Sequence, residues 1–231
     1  LELHQGKSVE EVKEKFREAV KDISHEEVAA MEQALIEEGL PVEEIQKMCD
    51  VHASIFKESL DKKPEPEMIP GHPIHTFFQE NRALEDLMTK EIRPRLEALK
   101  SAASREDQEK VVLELLEKYN LLTDIDKHYS RKENLVFPYL EKYGITAPPK
   151  VMWGVDDEIR DGIKDVIKTL KNYNEGTRKD IINKIEQNLE QIQEMIYKEE
   201  KILFPMAANN LTEDEWYAIY QESDEIGFCL V

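Results

Sequence analysis

The sequence predicts an all-α protein, an antiparallel four-helix bundle preceded by a small three-helix domain. Three observations carry this reading. Apolar residues return at spacings of three and four, as at Val12, Phe16 and Val20 and again at Val28, Met31 and Leu35. Capping pairs recur along the chain at the points where such runs begin. No segment alternates apolar and polar residues as a half-buried strand does.

Taken in order, Ser8 with Glu11 and Ser24 with Glu27 open helices over about 9–22 and 25–38, and a third runs over about 42–61. Gly39 sits where the second should stop. The stretch Lys62 to Gly71 holds three prolines and a glycine, which no helix can continue through, so residues 62–71 read as a linker after a 1–61 domain. Longer helices follow over about 73–100, 105–143, 151–174 and 178–208. Ser104 with Asp107, Thr177 with Asp180 and Thr212 with Glu215 supply starts, while Gly144 and Gly227 supply stops. Pro94 is expected to kink the first long helix and Gly162 to weaken the third. Four long helices on short connections pack by default as a bundle over 72–208, and a short helix near 213–224 lies in the remainder, 209–231.

Composition removes several function classes. A net charge of −19 repels phosphate backbones and anionic lipid, so neither a nucleic-acid nor a membrane-surface role is expected. No apolar run approaches the roughly 20 residues of a membrane-spanning helix. The charged, amphipathic start has no signal-peptide core. Cys49 and Cys229 are not spaced as a redox pair or a disulfide framework, which suits the cytoplasm. No phosphate loop or nucleophile elbow is present, and no catalytic residue stands out.

The most informative feature is an internal echo. His128-Tyr-Ser-Arg-Lys-Glu-Asn-Leu-Val-Phe-Pro138 is matched by Met195-Ile-Tyr-Lys-Glu-Glu-Lys-Ile-Leu-Phe-Pro205, late in the second and fourth long helices. In an up-down-up-down bundle those helices run parallel at diagonal corners, so matching positions can face each other across the core. The two segments resemble the hemerythrin-type HHE cation-binding domain, whose second and fourth helices each carry H-x-x-x-E followed by Phe-Pro. The phrases GHPIHTFFQENRALEDL, VMWGVDDEIR and ESDEIGFCLV resemble one subgroup of it. There a small helical domain of unknown function, similar to residues 1–61 with CDVHASIFKESL, comes first, and a PAS sensory domain often follows.

That resemblance implies a di-iron site held by imidazoles and bridging carboxylates from four helices, and this sequence departs from it. His128 is in place, but Lys132 stands where its carboxylate should be, with Glu133 one step off. Met195 replaces the histidine of the fourth helix, while Glu199 is kept. The family's histidines on the third and first helices fall on Asp156 and Asn81. A standard di-iron centre is therefore not expected. A haem needs only one or two axial ligands from the protein. His75 and His128 could supply them, with His72, His52 or a His128–Met195 pairing as alternatives. A mononuclear non-haem site could draw on His75, His128, Glu133, Glu199 and His52. The plainer readings stand beside these: His4, His25 and His52 as structural histidines, Met195 as core filler, the glutamates as solvated faces and the Phe-Pro pairs as helix ends. Two functions follow. One is a cytoplasmic sensory module holding iron, preferably as haem, that reports gas or redox state to a PAS-type neighbour. The other is a cofactor-free helical domain that couples neighbours or dimerises. An iron-based redox or storage role is a third, opposed by the missing carboxylates.

Overall fold

A computed structural model describes residues 33–35, 38–41 and 69–231. The three-helix unit expected over 1–61, and with it His52 and Cys49, lies outside the described residues except for the helical turn at 33–35 and the bend after it. That bend carries Gly39 at φ 92° and a Leu40 N–H to Leu35 O hydrogen bond of 3.0 Å, the helix stop expected there.

From residue 69 onward the described chain is helical throughout, with no strand. The first bundle helix comprises α1 (Pro73–Asp86), a π segment (Leu87–Ile92) and α2 (Arg93–Ser101). The second comprises α3 (Arg105–Leu122), α4 (Ile125–Arg131), a π segment (Lys132–Val136) and α5 (Phe137–Lys142). The third is α6 (Ala147–Lys171). The fourth is α7 (Arg178–Lys198), a π segment (Glu199–Leu203) and α8 (Phe204–Asn210), and α9 (Glu213–Ile226) follows. Successive helices pack side by side and the fourth returns to the first, which leaves the second and fourth at diagonal corners. α9 lies across α1, α4 and the second π segment, closing that side of the bundle.

Several expected boundaries shift for local reasons. The helix expected as one piece over 105–143 breaks at Thr123–Asp124, where the Thr123 hydroxyl donates to Asn120 O at 2.6 Å and competes with the helix ladder. α6 starts at Ala147 rather than 151, because Pro148 and Pro149 fall in its first turn, where amide protons have no helical acceptor. The helix expected from Thr177 is capped through Asn174 and Thr177 instead, each satisfying the other's backbone N–H. Ser104 and Thr212 cap as expected, accepting from Asp107 N–H and Glu215 N–H.

The prolines act differently from helix ends. Each π segment closes with an i→i−5 hydrogen bond, Arg93 to Met88, Phe137 to Lys132 and Phe204 to Glu199, and the next residue is Pro94, Pro138 or Pro205. Widening the turn by one residue moves aside the carbonyl that a proline ring would otherwise strike, so the helix continues beyond it. The two Phe-Pro pairs are thus restarts, not stops. The second and third π segments begin at Lys132 and Glu199, which are matching positions of the echo.

Candidate functional site

At the level of these two π segments the bundle core is not apolar. Glu80, Asn81, His128, Arg131, Lys132, Asp156 and Glu199 have no solvent exposure. Glu80 comes from α1, His128 and Arg131 from α4, Lys132 from the π segment after it, Asp156 from α6 and Glu199 from the π segment after α7. All four bundle helices therefore contribute a charged group to one buried cluster.

Its geometry is that of paired charges. His128 lies between two carboxylates, with Nδ1 2.8 Å from Glu80 Oε2 and Nε2 3.1 Å from Glu199 Oε2. Lys132 Nζ donates to Asp156 Oδ1 at 2.8 Å and to Glu199 Oε1 at 2.5 Å. Arg131 Nη2 donates to Glu80 Oε2, and its guanidinium carbon lies 4.6 Å from the centre of the Phe77 ring and 4.7 Å from that of Phe228. Phe77 also meets His128 edge to face at 5.0 Å, and Lys132 Nζ lies 4.3 Å from the centre of the Tyr129 ring.

Electrostatics follow from this arrangement. Burial works against the imidazolium of His128, but Glu199 and Glu80 outweigh it and hold the group up at about 9. Glu199 shows the complement: burial opposes its charge, yet Lys132 and His128 together hold it down at about 2. Burial opposes the Lys132 ammonium too, but Asp156 and Glu199 raise it above the ordinary range. Asp156 is pushed well up, chiefly by burial and against the pull of Lys132. Three carboxylates thus face an imidazolium, an ammonium and a guanidinium, which is how buried charge is tolerated.

The residues named from sequence separate clearly in the structure. His128 and Glu199 join the cluster. Glu133 turns away from it to receive Arg160, with Nη1 at 2.6 Å and Nη2 at 2.8 Å. Met195 is buried, but Glu199 rather than Met195 is set against the imidazole of His128. His75 is half-buried on α1 and takes no part in the hydrogen bonds of the cluster. His72 caps α1, its Nδ1 accepting from Ile74 N–H at 3.1 Å, and packs on Trp216 with ring centres 4.9 Å apart. His52 lies outside the described residues. Asn81 donates to Glu200 Oε1 at 3.2 Å. Glu80 and Arg131 were not anticipated, although opposite charges at the ligand positions 132 and 156 already hinted at an ion-paired core.

The donor set does not suit a transition metal. Asp156 Oδ1 and Glu199 Oε1 are turned to an ammonium, and both nitrogens of His128 face carboxylate oxygens, which leaves the buried Asp156 Oδ2 as the oxygen of these two carboxylates without a hydrogen-bond partner. Among the described residues no three His, Cys, Asp or Glu side chains converge as metal ligands. A bis-histidine haem would need a second imidazole near His128, and His75 and His72 are both occupied or placed elsewhere.

Comparison with protein-family models finds two matches. Residues 72–207 match the hemerythrin HHE cation binding domain, and residues 1–62 match a family of unknown function (DUF438). No curated protein matches the chain. Among the described residues no helix is long and apolar enough to cross a membrane.

Proposed function

The chain belongs to the hemerythrin HHE cation-binding family, and from that premise we propose that it is a regulatory helical module in which the Lys132 ammonium takes the place of the family's metal. One observation carries the reading: Lys132 Nζ lies within hydrogen-bond distance of Asp156 on the third helix and Glu199 on the fourth. A bound cation in such a bundle draws carboxylates of separate helices together. A lysine ammonium meets the same need as a point charge with three donors, and it cannot dissociate from the chain. The neighbour served by such a module is a PAS-type sensory domain or a second copy of this chain, in the cytoplasm. The strong negative charge argues against nucleic acid.

The test is a metal analysis and visible spectrum of the full chain, with thermal unfolding before and after a strong chelator. The expected sample is colourless, substoichiometric in iron and zinc, and unfolds at the same temperature in both cases. A Soret band, or one tightly held metal per chain whose removal lowers the midpoint, overturns the proposal.

A second reading rests on the other members of the same cluster. His128, Glu80, Asp156 and Glu199 still place one imidazole and three carboxylates on four helices. These side chains would hold a non-haem cation if Lys132 gave up its place, and the cation would there act as a Lewis acid or redox centre. Replacing Lys132 by Glu, which restores the H-x-x-x-E spacing from His128, should create stoichiometric divalent-cation binding that the parent chain lacks. Equal binding by the parent chain would favour this second reading.

A further inference from the structure

Residues Gly227–Val231 leave α9 and run back onto the buried cluster. The turn depends on Gly227, whose φ of 90° is open to glycine but strained for other residues. Beyond it, three contacts hold the segment down. The Cys229 N–H donates to Glu80 Oε1 at 2.6 Å. The Leu230 N–H donates to Asp124 Oδ2 at 2.8 Å, at the break between α3 and α4. The Phe228 ring lies against the guanidinium of Arg131.

We propose that residues 227–231 form a strap whose docking reports the state of the buried charge cluster. Glu80 is the joint. Its Oε2 receives His128 and Arg131, and its Oε1 receives the strap. One carboxylate therefore serves the core and the strap together, and anything that draws it from one weakens its hold on the other. Arg131 forms the second link, touching Glu80, Phe77 and Phe228. Its Nε and Nη1 have no protein partner although the side chain is fully buried, so few bonds other than the one to Glu80 fix its place. The docked strap also stores strain: Leu230 has a φ of 59°, a conformation that a branched aliphatic residue keeps only when its surroundings hold it. Undocking relieves that strain, so the strap is poised to release. Released, it exposes the otherwise buried Cys229 and the Arg131 face beneath Phe228.

The buried Cys229 thiol serves as the reporter. In full-length chain carrying Cys49→Ser, its rate of reaction with a disulfide-exchange reagent measures how often the strap opens. Slow reaction is expected in this background. Phe228→Ala should raise the rate at least about tenfold, and Glu80→Gln, a change inside the bundle, should raise it comparably while α9 amides keep their hydrogen-exchange protection. Combined, the two changes should be non-additive, since they loosen one joint. A strap that reacts as a free thiol in the parent, or additive effects, would overturn the proposal. Should Glu80→Gln fail to fold, the link is read from the other side. Phe228→Ala leaves the interior intact, and coupling is reciprocal, so amides of the Lys132–Val136 segment should exchange several-fold faster. Unchanged exchange there overturns the coupling.

Discussion

At the residue scale Lys132 and His128 set the energetics of the core. Replacing Lys132 with Met strands Asp156 without its cation and leaves Glu199 with His128 alone, and breaking one side of a buried pair costs about 3–5 kcal/mol. Urea unfolding should show a loss of that size, and a loss under about 1 kcal/mol would mean the ammonium does not hold these helices. His128 makes a pH prediction. A histidine raised from 6.5 to about 9 contributes its full stabilisation below pH 6.5 and loses it as the pH rises through 9. At about 1.4 kcal/mol per pH unit that window is worth about 3 kcal/mol. Asp156, also raised, acts in the same direction as the pH climbs from the acid side. Glu199 acts in the opposite sense, its stabilisation being present above 4.5 and lost as the pH falls towards 2. Stability should therefore peak near pH 4–4.5, where Glu199 has recovered and the losses at Asp156 and then His128 have yet to accumulate, and His128→Gln should flatten the alkaline limb.

At the element scale the third and fourth bundle helices approach closely at Gly162. A Cβ added there would lie 2.7 Å from the amide nitrogen of Asn188, which is buried and donates to Ile159 O at 3.3 Å. Sequence reasoning expects Gly162 to weaken α6, since glycine costs about 1 kcal/mol relative to alanine in a helix. Packing reverses the expected benefit of replacing it. Gly162→Ala should lower stability despite its better propensity, while the same change made with Asn188→Ala should recover it, as thermal unfolding of the single and double variants will show. The helix restarts teach a similar lesson. The echo marks where Phe-Pro recurs, but only the π turns explain how a helix survives those prolines and why Lys132 and Glu199 occupy equivalent places.

At the scale of the whole molecule the chain carries a net charge of −19, while among the described residues the charges of the core cluster are paired. Self-repulsion across such a surface is screened by salt, whereas buried pairs are screened far less. Raising NaCl from 10 to 200 mM should therefore raise the unfolding midpoint, and Lys132→Met should leave that rise intact. A rise lost with the lysine would place the salt-sensitive charges inside the bundle.

The sequence by itself determined the all-α class, the positions of the long helices, the diagonal pairing of the second and fourth, and the resemblance to the hemerythrin family. Those features reside in periodicity, caps and a repeated motif, which are local along the chain. It also showed that ligand positions held Lys132, Asp156 and Met195. Only the tertiary structure decided what those substitutions mean. Whether a buried lysine is a defect or a partner depends on which carboxylates other helices bring to it, and Asp156 and Glu199 reach Lys132 from 24 and 67 residues away. Likewise Cys229 reads in the sequence as an unpaired thiol and Phe228 as part of the phrase ESDEIGFCLV until the fold lays them on Glu80 and Arg131, because contacts across 149 residues leave no periodic trace.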